Sequence, residues 1–105
     1  MEQPDEIIHQ PVRLRIMAAL HALPHPAEAE FVTLAALLKT TNGNLGAHIG
    51  MLEAARYVTV TKDFVGRKPR TRVRMTRAGR HAFEKYVGYL QDLVDSAGLS
   101  KGARR

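Results

Sequence analysis

Thr40, Thr41, Asn42, Asn44 and His48 lie within nine consecutive positions of the chain. Their side chains suit hydrogen bonding rather than bond breaking. A carboxamide carries a donor beside an acceptor, so Asn42 or Asn44 can pair with the edge of an adenine. His48 can contact a base or a phosphate, and Thr40 and Thr41 can reach backbone oxygens. The same residue types have a local use, because Asn and Thr also satisfy the free N–H groups of turns and helix starts. For His48 a packing role carries equal weight.

A second group is cationic. Lys62, Arg67, Lys68, Arg70, Arg72, Arg74, Arg77 and Arg80 place half of the sixteen basic residues between positions 62 and 80, where Asp63 is the one acid. With a net charge of +6 and a pI near 10.2, this bias points to a polyanionic partner, nucleic acid first. Arg67, Lys68, Arg70 and Arg72 are the expected phosphate or minor-groove contacts. An ordinary solvated face is the plainer alternative for the alternating arginines.

Other chemistry finds no support. The chain has no cysteine, which removes disulfides, thiolate metal sites and cysteine nucleophiles together. No nucleophile–base pair, paired carboxylates or glycine-rich phosphate loop can be assembled, so no enzyme and no cofactor is expected. His21 and His25 have the i, i+4 spacing of a metal pair, but Pro24 breaks the helix that would align them, and no metal is expected. His9, His21, His25 and His81 read as surface or packing residues.

The elements that position these groups follow from periodicity. The 105 residues make one domain, and 45% hydrophobic residues suffice for a modest core. Residues 1–10 read as an N-terminal extension, 11–95 as the domain, and Ser96 onward as a disordered tail. Pro11–Leu23 is a helix with Val12, Ile16, Leu20 and Leu23 on one stripe and Met17 beside it, ended by Pro24 and Pro26. Glu30–Val32 is a short strand or extended lead-in, and Thr33 caps a short helix over Leu34–Lys39. Thr41 caps a longer helix reaching Arg56 or Tyr57, in which Leu45, Ile49 and Leu52 fall at i, i+4 and i+7. Short helix, tight turn and longer helix make a helix-turn-helix. Gly43 and Gly46 each cost that second helix about 1 kcal/mol relative to Ala, which implies a frayed first turn or, as we favour, a close backbone approach. From Val58 the period becomes two. Val58–Lys62 and Arg70–Thr76 are strands joined through a turn at Phe64–Pro69, with Val73 and Met75 facing the core and Arg70, Arg72 and Arg74 opposite. Thr76 caps a last helix from near Arg77, with Phe83, Val87, Leu90 and Val94 toward the core and Tyr86, Tyr89 and Leu93 adjoining.

The expected fold class is therefore α+β, mostly helical: a winged helix-turn-helix with a two-stranded β-wing and a C-terminal dimerisation helix. Over His9 to about Val94 the chain resembles winged-helix transcriptional regulators of the MarR and ArsR type, in a short cysteine-free branch. The residues carrying the resemblance are Thr-Asn-Gly-Asn-Leu-Gly-Ala-His-Ile-Gly-Met-Leu-Glu-Ala-Ala-Arg-Tyr-Val at Thr41–Val58, Phe-Val-Gly-Arg-Lys-Pro-Arg-Thr at Phe64–Thr71 and Met-Thr-Arg-Ala-Gly-Arg at Met75–Arg80. The Gly-Arg-Lys-Pro tip is also similar to a minor-groove hook, but flanking strands favour a wing. The chain departs from many such regulators at Gly46 and Ala47, where they have Ser, Arg or Lys, and at Arg56, where they have Gly.

The resemblance implies a DNA-binding regulator that works as a homodimer through its terminal helices. The expected function is a sequence-specific double-stranded DNA-binding transcriptional regulator, most readily a repressor, with a small-molecule effector left open. Tyr86, Tyr89, Leu90 and Leu93 are the expected dimerisation residues, with packing of Tyr86 and Tyr89 on the first helix of the same chain as the alternative. A sequence-tolerant architectural DNA binder and a protein-interaction module are the two other readings. An acidic amino terminus without a signal-peptide pattern, and no membrane-length apolar run, predict a cytoplasmic protein, nucleoid-associated when bound to DNA, with no membrane partner.

Overall fold

The computed structural model describes residues 4–99. Its elements are α1 (Pro11–His21), β1 (Glu28–Glu30), α2 (Phe31–Leu38), α3 (Asn42–Ala54), β2 (Val58–Val65), β3 (Lys68–Met75) and α4 (Arg77–Ser96). Helix α1 packs on α2, α3 and α4, and the strands form an antiparallel sheet in the order β1-β3-β2. Ile16, Met17, Leu20, Leu34, Leu45, Leu52, Val58 and Val73 are buried in one cluster with Ile8. Ile8, just before α1, is thus part of the packing. Among the described residues no helix is long and apolar enough to cross a membrane.

Local chemistry explains most of the boundaries. In α1 the Gln10 side chain accepts from the Arg13 N–H at 2.8 Å, and Pro11 occupies a position whose N–H would go unused. The helix stops at His21, two residues before the expected Leu23, because a residue preceding a proline is driven out of the α region. Helix α3 starts where Thr41 Oγ1 accepts from the Asn44 N–H at 3.1 Å, and its buried residues are Leu45, Ile49 and Leu52, as the spacing predicts. It ends at Ala54, before the expected Arg56 or Tyr57, as Arg56 turns left-handed at φ 66°. The Arg56 and Tyr57 N–H groups then close on Glu53 and Leu52 carbonyls, a C-terminal motif usually built with glycine.

Helix α2 departs from expectation at its start. It runs from Phe31, its N-cap is Glu30 without a side-chain bond, and Thr33 is internal. The cause lies in the sheet. Glu28, Ala29 and Glu30 pair with Arg74, Val73 and Arg72, so the wing hairpin gains a third strand, and the chain must turn into helix directly after Glu30. The hairpin is also longer than expected: pairing continues through Phe64 with Pro69 and Val65 with Lys68, leaving Gly66 and Arg67 as a two-residue turn with Gly66 at φ 63°. Pro69 is tolerated because β1 covers β3 only opposite Arg72–Arg74, so the missing N–H breaks no ladder on that edge.

The phase of α4 differs from that read off the sequence. Gly79, Phe83 and Tyr86 are its buried residues; Tyr86 is 5% exposed, whereas Val87 and Val94 are 44% and 39% exposed. Tertiary contacts set this rotation. Thr76 Oγ1 accepts from the Gly79 N–H and donates to the Arg56 carbonyl, and the first turn presses so close to Tyr57 that a Cβ on Gly79 would lie 2.1 Å from the Tyr57 carbonyl oxygen. Seven residues on, the Tyr86 hydroxyl meets His9 Nδ1 at 2.7 Å. Ser96, where the tail was expected to start, closes α4, and the Gly98 and Leu99 N–H groups bond the Asp95 and Val94 carbonyls. Residues 100–105 of that tail lie outside the described residues.

Candidate nucleic-acid interface

Leu45, Ile49 and Leu52 pin one side of α3 to the core, so the side turned away is fixed by the helical repeat. That side is Gly43, Ala47, Gly50 and Ala54, at i, i+4, i+7 and i+11, all exposed. Their stripe carries no atom beyond a β-carbon and is flanked by Asn44 and Met51. A Cβ on Gly43 or Gly50 would meet nothing within 4 Å, and one on Gly46 only the Phe31 ring at 3.9 Å. Internal packing therefore requires none of these glycines, and the Thr41 cap forms the first turn rather than leaving it frayed.

The polar residues singled out in the sequence fall around the start of this helix. Thr41 is a cap, and Asn44 Nδ2 donates to Thr40 Oγ1 at 2.8 Å, so one of the two Asn44 amide donors is already engaged. Asn42 is exposed. His48 is half-buried, and its Nδ1 lies 3.1 Å from Arg13 Nη1. A guanidinium only donates, so Nδ1 is the acceptor and Nε2 is the nitrogen that this contact leaves unused. Arg13 Nε in turn donates to the Ile7 carbonyl, linking this ring to the segment before α1. The sequence offered no sign of Arg13 as a positioning residue, because the pair is 35 residues apart.

The wing divides its cations into two sets. Arg67 and Lys68 are exposed at the turn. Arg70 instead forms a bidentate pair with Asp63, and Arg72 bonds both Glu28 and Asp63 at 3.0 Å. The Arg70 hydrogen bond, reinforced by Arg72, holds the Asp63 carboxyl below its usual range, and Asp63 raises Arg70 in return. Asp63 is thus not the sole acid offsetting this surface, as Glu28 arrives from β1. Fixed carboxylates make Arg70 and Arg72 braces of the hairpin stem as well as surface charges.

Of the four expected dimerisation residues, Tyr86 is turned inward and packs its ring 5.8 Å from that of His9, in the segment just before α1. Tyr89 lies beside it, ring centroids 5.8 Å apart. The apolar groups α4 leaves uncovered are instead Val87, Leu93 and Val94, with Leu90 partly buried at their edge. His21, weighed as half of a metal pair, bonds Glu84 at 2.9 Å, while His25 is exposed. Asp5, Tyr57, His81, Ala82, Lys85, Tyr86 and Tyr89 line a cavity of about 270 Å³. Within it the Tyr57 hydroxyl donates to Asp5, and burial together with that carboxylate pushes its pKa up to about 12.

An exposed helix of a helix-turn-helix beside a basic hairpin is the arrangement of a winged helix. A family model described as the winged helix DNA-binding domain matches residues 12–94, and the chain belongs to this family. It is 33% identical over 82 residues to an uncharacterized protein of Methanocaldococcus jannaschii, covering 78% of this chain and 86% of that one. Among solved structures it is similar to the transcriptional regulator homologue protein from Pyrococcus horikoshii OT3, with 32% identity, a TM-score of 0.81 and 89% of each chain covered. A PadR family transcriptional regulator from Eggerthella lenta shares the fold at 22% identity, TM-score 0.66, over 80% of this chain and 78% of that one. The fold is that of winged-helix DNA-binding transcriptional regulators.

Proposed function

We propose that the protein is a sequence-specific double-stranded DNA-binding transcriptional regulator that acts as a homodimer, with repression by occupancy of its site as its output. The observation that carries this reading is the bare outer stripe of α3, Gly43, Ala47, Gly50 and Ala54, which lets the helix backbone come close to the floor of a major groove. Asn42, Asn44 and His48 Nε2 then supply base or phosphate contacts, and Thr40 and Thr41 lie at the backbone. Arg67 and Lys68 neutralise phosphates from the wing, while Arg70 and Arg72 contribute field from their braced positions. The dimer forms through α4, where Val87, Leu93 and Val94 together with Tyr89 and Leu90 offer an apolar seam. Two-fold symmetry would set the recognition helices about 34 Å apart. An effector, if one acts, has a candidate seat in the cavity beside Tyr57.

A second reading, sequence-tolerant architectural binding, is favoured by the same stripe, since four small residues read few base edges. Selection of bound duplexes from a randomised library at physiological salt separates the two. An enriched pseudo-palindrome with half-sites about ten base pairs apart is the expected result. Retention without enrichment would favour the architectural binder, and no retention would overturn DNA binding in favour of a protein-interaction module.

A further inference from the structure

Phe64 and Val65 stand at the tip of the wing, 69% and 57% exposed, next to the turn that carries Arg67 and Lys68. Phe64 continues the β2 face that bears the buried Val58 and the half-buried Val60, but it lies beyond the end of the core, opposite Pro69. Two large apolar side chains beside two cations at a hairpin tip are an unusual use of surface, because nothing in the fold requires apolar groups there. The stem beneath them is braced: Asp63 and Arg70, the next pair down the ladder, are joined by two hydrogen bonds, and Arg72 ties Asp63 to Glu28.

We infer that Phe64 is an apolar wedge that enters the minor groove of bound DNA and partly unstacks a base step. The inference rests on the DNA-binding reading above and extends it to how sites are chosen. Charge complementarity selects the occupant. Arg67 and Lys68 match two phosphate rails, and the stacked bases between those rails are the apolar surface that an aromatic ring on a stiff support can reach. A wedge of this kind kinks duplexes by roughly 20–90° toward the major groove. Its cost depends on the step being opened and is least at flexible pyrimidine–purine steps. Phe64 would therefore confer preference at positions where no side chain contacts a base edge, which offsets the scarcity of long side chains on the outer stripe of α3.

The test uses the full chain on a duplex recovered by the library selection, labelled at both ends with a fluorophore pair and carrying 2-aminopurine at successive steps. Wild-type protein is expected to shorten the end-to-end distance and to raise 2-aminopurine emission at one step in each half-site. Phe64→Ala is expected to lose both signals and to bind roughly tenfold more weakly, as removal of a base-stacking ring does, with an unchanged melting temperature because the ring is exposed. Phe64→Leu should keep part of the bend. Equal bending and unstacking by Phe64→Ala and wild type would overturn the wedge while DNA binding stands. Dissociation of a wild-type dimer by Phe64→Ala would also overturn it, and would assign the ring to an interface between copies. Failure of the wild-type protein to bind any duplex would overturn both readings together.

Discussion

Arg70 and Asp63 face each other across the wing and are joined by two hydrogen bonds, Nε to Oδ1 at 3.0 Å and Nη2 to Oδ2 at 2.9 Å. The geometry is the parallel fork that makes arginine–carboxylate pairs directional as well as attractive. It holds the hairpin stem in one twist just below a tip that carries Phe64, Arg67 and Lys68.

This pair makes wing stability depend on pH in a defined direction. The Arg70 hydrogen bond is the largest cause that lowers the Asp63 pKa from 3.8, with Arg72 adding to it. A carboxyl whose folded pKa lies below its unfolded value stabilises the fold fully above the unfolded pKa and loses that contribution as pH falls through the folded one. Thermal melts of wild type and Asp63→Asn should therefore differ by a constant amount near neutral pH, wild type being higher, and converge on the acid side of 3.8. A gap that persists unchanged in acid would mean that the carboxylate charge is not what braces the stem.

Arg56 offers a stabilising substitution. It sits at φ 66° in the closing turn of α3, a conformation that costs an L-residue about 1–2 kcal/mol. Glycine removes that strain but adds about 0.4–1 kcal/mol of unfolded-chain entropy. Arg56→Gly should raise unfolding free energy in denaturant titrations by up to about 1.5 kcal/mol, the difference of those two effects. A lower midpoint would show that the arginine side chain contributes more than its backbone costs.

The division of the wing cations predicts unequal effects on binding. Arg67→Ala with Lys68→Ala should reduce the slope of log affinity against log salt by about two and weaken binding to all duplexes alike. Arg70→Lys should instead lower the melting temperature, because an ammonium cannot reproduce the two-bond fork to Asp63. An unchanged slope in the double variant would remove Arg67 and Lys68 from the interface.

Much of this architecture was legible in the sequence where the information is local. The Leu45, Ile49 and Leu52 stripe, the Thr41 and Thr76 caps and the alternation that buries Val73 and Met75 all depend on residues within a turn or two of one another. What was not legible depends on partners far along the chain. Glu28 and Arg72 are 44 residues apart, so neither the pairing of the short strand with β3 nor the second acid on the wing could be read from spacing. The rotation of α4 is fixed by Gly79 against Tyr57 and by Tyr86 against His9, 77 residues away. Amphipathic spacing alone allowed Val87 to take the inward place that Tyr86 occupies. At the candidate interface the clustering of Thr40–His48 and the basic wing were visible in advance. The tie from His48 to Arg13, 35 residues away, was not.

If the bare outer face of α3 lies against DNA, a long side chain at Gly50 must weaken duplex binding, which makes Gly50→Gln the decisive variant. A Cβ at Gly50 meets nothing within 4 Å, and replacing a helical glycine should stabilise α3 by roughly 0.5–1 kcal/mol. The expected result is a variant that melts at or above the wild-type temperature yet binds the selected duplex at least about tenfold more weakly, a loss of about 1.4 kcal/mol. Wild-type affinity in a stably folded Gly50→Gln protein would contradict the claim and place the DNA, if it binds, on another face.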